Sequence, residues 1–299
     1  VYSDLQEGLE EIRSDIDDAV EVVDDLALSL SLARFSVNFD LKRPEITDSG
    51  CVAVVNARNL NLMVSDDEDV EPVTYAVGNH TVLEEGNVEI AEVVPPDGDL
   101  VSVLTGANSG GKTTLLETLC QVNLLAQMGL PVPADYAEVT VFDSVVFHRR
   151  HASFNAGVLE STLRSVVPPL TKSGKTLMLV DEFEAITEPG SAADLLHGLV
   201  TLTVDRGALG VFVTHLADDL KPLPERARID GIFAEGLDED LSLIVDYQPR
   251  FNVIGRSTPE FIVSRLVANA SDRTERAGFE TLAKAIGVEN VQLTLEDSW

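Results

Sequence analysis

Three glycines, a lysine and a threonine occur between residues 106 and 113 at spacings that suit phosphate binding. The segment GANSGGKT fits the pattern G-x-x-x-x-G-K-[ST]. Glycine lets the backbone curl so that successive N–H groups face an anion. The Lys112 ammonium would lie near the β- and γ-phosphates, and the Thr113 hydroxyl would ligate Mg²⁺. We expect ATP or ADP to be held by Gly106, Ala107, Asn108, Ser109, Gly110, Gly111, Lys112, Thr113 and Thr114.

Two carboxylates and a histidine follow later apolar runs. Asp181 and Glu182 end the run TLMLVDE, and His215 ends ALGVFVTH. The carboxyl ends of parallel strands meet at one edge of a sheet, beside a phosphate loop. Asp181 is therefore expected to hold Mg²⁺ with Thr113, Glu182 to activate a water, and His215 to contact the γ-phosphate. The alternatives are solvated carboxylates and a histidine satisfied at a strand end.

The surrounding pattern predicts the elements that would position these residues. An apolar strand, LVSVLT, precedes the glycine-rich segment, and a helical pattern follows it, which favours a phosphate loop over a chance turn. Strands and helices then alternate, and an edge hairpin closes the sheet. The expected elements are helices at 112–128, 157–172, 191–204, 259–268 and 272–286, strands at 176–181 and 208–215, and hairpin strands DGIFAE and LSLIVDYQP. This order predicts an α/β fold with a mainly parallel central sheet.

The first hundred residues have a different pattern. Apolar residues at three- and four-residue steps from Leu5 to Leu26 predict one long helix, which Arg43-Pro44 would end. Short strands, including CVAVV and EIAEVV, and the turn 95–99 follow. We expect three parts: a helical lever segment at 1–48, an ATPase domain at 49–270 (β-rich at 49–100, core at 101–270), and a helical tail at 271–299 that is a candidate dimer contact.

Composition excludes several classes of protein. The chain has 51 acidic and 21 basic residues, a net charge of −30, so it lacks the basic surface of a general nucleic-acid cradle. Acidic residues number 24 in the first hundred positions but 10 in the next hundred, where the phosphate loop lies. Scarce lysine amid many acids is typical of halophiles. Two cysteines, no signal peptide and no apolar run of membrane-spanning length favour a cytoplasmic protein.

Several segments together resemble the ATPase domain of the MutS family. They are LTGANSGGKTTLLETLCQVNLLAQMGLPVPA, DEFEAITEPGSAADLL, VFVTH, LALSLSLARFSVNFDLKRPEI and IVDYQPRFNVIGRSTPEFIVSRL. The likeness covers about residues 25–270. Thr187-Glu188-Pro189 is more similar to the second MutS branch, which is linked to recombination control, and to archaeal MutS-like proteins. Glu184 stands where glycine is common in the family, and Asn59 where a histidine near adenine would be sought.

The resemblance implies an ABC-type ATPase whose two sites form between paired subunits. Each site would take its phosphate loop from one subunit and a serine, here Ser153, from the other, with Thr187 in a loop at the interface. Taken alone, Ser153 is equally readable as a helix N-cap and Thr187 as a turn residue. Tyr75 either stacks on adenine or packs in the core. The basic run 148–151 faces a nucleotide, DNA or solvent.

The expected function is ATP binding and hydrolysis in a MutS-like DNA-processing protein, acting in mismatch repair or recombination control. Lys112, Glu182 and His215 are the expected catalytic residues. A homodimer would open and close with the nucleotide, and DNA would be contacted by domains outside this piece of a longer protein. The alternatives are a nucleotide-binding subunit of another machine, such as a transporter, and a scaffold that dimerises with ATP without turnover.

Overall fold

The computed structural model describes residues 2–65, 70–81, 93–106, 111–149, 156–186, 191–237, 243–255, 263, 266–267 and 270–286. The chain divides into two compact units, Val1–Lys42 and Arg43–Trp299. Within the described ranges no helix is both long and apolar enough to cross a membrane.

The first unit consists mainly of one long helix, α1 (Tyr2–Asn38). The described part of its predicted apolar stripe, from Ile12 to Leu26, is exposed: more than half of the surface of Ile16, Val23 and Leu26 is accessible to solvent. The helix ends five residues before the predicted stop at Arg43-Pro44. The reason is local, because Asp40 adopts a left-handed conformation with φ of 48°, and the N–H of Leu41 donates to the carbonyl oxygen of Ser36 at 2.9 Å.

A six-stranded sheet forms the centre of the second unit. Its strands are β4 (Val101–Gly106), β6 (Ser144–His148), β7 (Thr176–Asp181), β8 (Leu209–Val213), β9 (Ala227–Leu237) and β10 (Leu243–Arg250). They lie in the order β10-β9-β4-β8-β7-β6, and all pairs are parallel except β9 with β10. The predicted mainly parallel sheet with an antiparallel edge hairpin is confirmed.

Helices connect these strands or follow them in the chain. They are α3 (Lys112–Gln127), α4 (Ala156–Thr171), a one-turn 3₁₀ helix (Phe183–Ile186), α5 (Ala192–Asp205) and α6 (Arg273–Ile286). Strands β4, β7 and β8 are buried along their whole length, which explains their continuous apolar runs. The predicted helices at 112–128, 157–172, 191–204 and 272–286 agree with α3 to α6 within two residues, whereas the helix expected at 259–268 lies mostly outside the described residues.

A second, four-stranded sheet was predicted only in part. Its strands are β1 (Glu45–Thr47), β2 (Cys51–Ala57), β3 (Val73–Gly78) and β5 (Tyr136–Thr140), in the order β1-β5-β2-β3. Strand β5 belongs to the core segment in sequence but pairs with β1 and β2. The short helix α2 (Leu60–Val64) was not predicted. Of the expected strand EIAEVV, residues 89–92 lie outside the described residues, and 93–94 are not in a strand.

Candidate functional site

The site begins where β4 ends, at Gly106. This residue has φ of 128°, and a Cβ atom there would collide with the carbonyl oxygen of Ile232 on β9. The hydroxyl of Thr105 donates to the carbonyl oxygen of Asp230 at 3.0 Å and accepts from the N–H of Gly255 at 2.6 Å. The base of the predicted phosphate loop is therefore held on one side by β9 and by the segment after β10.

Lys112 is the first residue of α3 and is almost completely buried. The preceding Gly111 has φ of 74°, a left-handed conformation that suits glycine. The ammonium of Lys112 donates to the carbonyl oxygen of Gly106 at 2.7 Å. Burial lowers the pKa of Lys112, and the carboxylates of Glu182, Asp181 and Glu184 oppose that shift. Three nearby carboxylates thus offset part of the cost of burying this ammonium group.

Thr113 and Asp181 meet between α3 and β7. The hydroxyl of Thr113 donates to a carboxylate oxygen of Asp181 at 2.8 Å, and Asp181 is almost completely buried at the end of β7. Both side chains offer the hard oxygen atoms that Mg²⁺ prefers. Among the described residues, no three His, Cys, Asp or Glu side chains converge where they could hold a metal ion. Since Mg²⁺ is usually held by one or two protein oxygens together with substrate phosphates, this pair fits that ion.

Glu182 follows Asp181 with an unusual backbone conformation. Its φ is 43°, and the other three described non-glycine residues with positive φ are Asp40, Asn56 and Asn252. Its N–H donates to the carbonyl oxygen of Val213 at the end of β8 at 3.0 Å. Its Oε1 lies 3.1 Å from Nε2 of His215. The carboxylate is mostly buried, and the imidazole is about one-third exposed. The pair therefore lies near the protein surface, at the carboxyl edge of the sheet.

Glu184 joins the same cluster from the one-turn helix after β7. Its Oε1 accepts hydrogen bonds from the hydroxyl of Thr214 and from the N–H of His215, both at 2.8 Å. In the sequence, Glu184 stands out only because it occupies a position where glycine is common in the MutS family. The structure places its side chain against the backbone of the predicted histidine.

Tyr247 is a site residue that the sequence reasoning missed. It lies on β10, and a Cβ atom placed on Gly111 would come within 2.8 Å of its Cδ1. Its side chain is about half exposed. A partly exposed aromatic ring therefore lies beside the start of α3. No spacing or motif signals this position, because the pairing of β10 with β9 brings it there.

Two residues considered for adenine have structural roles instead. Tyr75 is fully buried, and its hydroxyl donates to Ser102 at 2.6 Å and lies 3.0 Å from Asp230, so core packing is the correct alternative. Asn59 caps α2 by accepting from the N–H of Asn61 and binds the carbonyl oxygen of Thr114 through its amide.

Other predicted positions are only partly described. Ala107, Asn108, Ser109, Gly110, Ser153 and Thr187 lie outside the described residues. Thr114 accepts at its carbonyl oxygen from the Thr118 hydroxyl at 2.8 Å. In the basic run, His148 is buried edge-on to the ring of Phe183, and Arg149 forms an ion pair with Glu117 on α3.

Comparison with known proteins bears on this arrangement. Residues 102–224 match the family model for MutS domain V. The chain is 44% identical over 263 residues to the DNA-binding protein MutS2 of Pyrococcus furiosus, an alignment that covers 86% of this chain and 42% of the relative. The chain carries a MutS-family ATPase domain.

More distant relatives align with the same MutS-family domain. The endonuclease MutS2 of Caldanaerobacter subterraneus is 26% identical over 285 residues, covering 93% of this chain and 33% of the relative. The endonuclease MutS2 of Shouchella clausii is 31% identical over 218 residues, covering 69% and 27%. The chain therefore spans less than half the length of these curated relatives. The transporter alternative is not favoured by these matches.

Proposed function

We propose that this chain binds ATP with Mg²⁺ and hydrolyses it as the nucleotide-driven engine of a MutS-like DNA-processing protein. One observation supports this most directly: Lys112, Thr113, Asp181, Glu182 and His215 lie together at the carboxyl ends of β4, β7 and β8. In open α/β sheets this edge is where ligands bind. Their chemistry matches phosphoryl transfer, which depends on positioning and charge stabilisation.

Each residue has a distinct role in the proposed reaction. Backbone N–H groups of 106–111 and the start of α3 bind the phosphates, and Lys112 contributes a positive charge to them. Thr113 and Asp181 would hold Mg²⁺, which would shield the negative charge of the phosphates. Glu182 orients the attacking water and accepts its proton, and His215 holds Glu182 in place and contacts the γ-phosphate. A correctly placed donor or base of this kind is worth about 2–4 kcal/mol of barrier.

Further parts of the proposal concern the whole protein. We propose that two subunits pair, with Ser153 and Thr187 of one completing the site of the other. The Pyrococcus relative is named a DNA-binding protein, and we propose that DNA contact belongs to parts of the protein outside this chain. The net charge of −30 supports that division, because phosphate contacts need clustered cations.

Hydrolysis is tested with two variants and a matched control for each. Lys112→Ala is expected to abolish ATP binding, measured by calorimetry, because it removes the buried charge under the phosphates. Glu182→Gln is expected to keep ATP affinity and lower turnover at least about a hundredfold. The exposed residues Lys172 and Glu225, which lie outside the site, supply controls, Lys172→Ala and Glu225→Gln. Unchanged turnover in Glu182→Gln would reject the assignment of the water-activating group.

The composite site is tested by mixing two inactive variants. If Ser153 acts across the interface, Lys112→Ala and Ser153→Ala subunits form mixed dimers in which one site has both intact parts. The mixture is then expected to regain activity that neither variant has alone. A mixture as inactive as its components contradicts pairing through Ser153, and dimers that form equally with ADP contradict a nucleotide-driven clamp.

A further inference from the structure

One carboxylate in the site has no role in the proposed reaction. Glu184 lies three residues after Asp181, on the one-turn helix Phe183–Ile186. A single oxygen, Oε1, accepts from both the Thr214 hydroxyl and the His215 N–H at 2.8 Å. Two donors on one carboxylate oxygen form a strong, directional link.

The link organises the turn that follows β8. Thr214 is fully buried, and its hydroxyl accepts from the N–H of Leu216 at 3.0 Å while it donates to Glu184. The hydroxyl therefore has both its donor and its acceptor capacity used, which fixes its rotamer. The backbone from Thr214 to Leu216 is held against the segment after β7 through this oxygen.

The same two segments meet again through side chains. Nε2 of His215 lies 3.1 Å from Oε1 of Glu182, and the N–H of Glu182 donates to Val213 at 3.0 Å. Two successive acidic side chains of one segment thus bind the backbone and the ring of the same histidine. Without the contact to Glu184, the N–H of His215 loses its hydrogen bond, and the backbone that carries the imidazole is held less firmly.

We propose that Glu184 is a positioning residue for His215, holding the histidine where it can contact Glu182 during ATP hydrolysis. This inference rests on the proposed ATPase function. It predicts that the hydrogen-bond acceptor at this position, rather than its negative charge, is what the reaction needs. Misplacement of a catalytic group by about 1 Å can cost a hundredfold in rate.

The variants Glu184→Ala and Glu184→Gln separate these two properties. Alanine removes the acceptor, and glutamine keeps an amide oxygen for Thr214 and His215 while it removes the charge. We expect kcat to fall about ten- to a hundredfold in Glu184→Ala, with the Kd for ATP within about twofold. Glu184→Gln is expected to remain within about threefold of the unchanged protein. Glu225→Ala, which removes an exposed carboxylate in the segment before β9, is the matched control.

A second measurement uses no nucleotide. In protein labelled with ¹⁵N-histidine, exchange of the His215 amide hydrogen is expected to accelerate about tenfold or more in Glu184→Ala and to stay slow in Glu184→Gln. If Glu184→Ala does not fold, Thr214→Val removes the other donor to the same oxygen and is expected to lower kcat in the same direction.

The outcomes distinguish the two hypotheses. If the protein without any substitution shows no ATP turnover, the ATPase proposal is refuted, and with it a positioning role for Glu184 in that reaction. Turnover that survives Glu184→Ala, or that falls equally in alanine and glutamine, overturns the positioning role and leaves the ATPase intact. Rescue by glutamine together with slow His215 exchange supports it.

Discussion

The balance of charge around Lys112 shows what single residues contribute to the site. The lysine is almost completely buried, and its ammonium donates to the Gly106 carbonyl oxygen at 2.7 Å. Burial alone would favour loss of its proton, but Asp181, Glu182 and Glu184 lie near enough to oppose this. Because the lysine begins α3 and the carboxylates lie at and just after the end of β7, the charge balance exists only in the folded domain.

Some of these residues could be predicted from sequence, and others could not. Lys112 and Thr113 belong to a local motif whose chemistry depends on adjacent residues, and Asp181 and His215 follow apolar strand runs. Glu184 and Tyr247 have no such signal, because their roles depend on which strands are neighbours. For Tyr75 the sequence leaves both adenine stacking and core packing open, because an aromatic residue in a β-rich segment suits either, and its burial in the structure decides for packing.

Tyr247 is predicted to stack on the base of the bound nucleotide. Its ring is half exposed beside Gly111, and stacking of a base on an aromatic ring is worth about 1–3 kcal/mol. Tyr247→Ala is expected to raise the Kd for ATP about tenfold, whereas Tyr247→Phe keeps the affinity near its original value. Calorimetry with inorganic triphosphate, which lacks a base, is the control. An equal loss for ATP and triphosphate would place the effect on the phosphate loop instead.

At the scale of elements, the sequence predicts the helices and strands whose apolar residues are strongly periodic or continuous. The strands β4 and β7 and the helices α3 to α5 have continuous or periodic apolar patterns, and each was expected within two residues. The sheet β1-β5-β2-β3 was largely missed, because β5 is short and joins strands that are 80 or more residues earlier in sequence. Such pairing is a tertiary property that local pattern does not contain.

A buried polar network connects the two sheets close to the end of β4. Asp230 on β9 accepts from Ser102 on β4 at 2.6 Å and from Nε of Arg228 at 2.9 Å, and Tyr75 on β3 lies 3.0 Å away. The guanidinium of Arg228 also lies over the ring of Phe251 at 5.5 Å. Burial and the Asp230 carboxylate raise the pKa of Tyr75 above its usual value. The network therefore holds β9 in place where this strand contacts Thr105 and Gly106.

Asp230→Ala is predicted to destabilise the protein by about 3–5 kcal/mol, because it removes the nearest carboxylate partner of the buried Arg228 charge and leaves Asp99 at 3.5 Å. Urea denaturation followed by circular dichroism measures this cost. The double variant Arg228→Met with Asp230→Ala is expected to be less destabilised than Asp230→Ala alone. If the destabilisations caused by the two substitutions simply add, so that the double variant is less stable than Asp230→Ala alone, the pair is not coupled.

At the scale of the whole molecule, the main feature is the excess of negative charge. The chain carries a net charge of −30, and repulsion among like charges opposes the compact state. Acidic residues are concentrated outside the segment that contains the phosphate loop. The proposed nucleotide site thus lies in the least acidic part of a strongly anionic chain.

Added salt is predicted to stabilise this domain by screening that repulsion. Between about 0.05 M and 1 M KCl, the free energy of unfolding is expected to rise by about 1–2 kcal/mol, which corresponds to roughly 2–6 °C in Tm. Scanning calorimetry measures the shift, and sorbitol at matched osmolality controls for effects that do not depend on ions. A shift as large in sorbitol as in KCl would refute a charge origin.

At Glu182, the left-handed backbone makes the side chain that the proposed turnover needs unfavourable for thermal stability. Every side chain with a Cβ is disfavoured at φ of 43°, and glycine would relieve about 1 kcal/mol of that strain. Glu182→Gly is therefore expected to melt higher than Glu182→Ala, the reverse of the usual order, although neither variant would hydrolyse ATP. Selecting this protein for heat resistance alone would favour replacing the carboxylate on which the proposed chemistry depends.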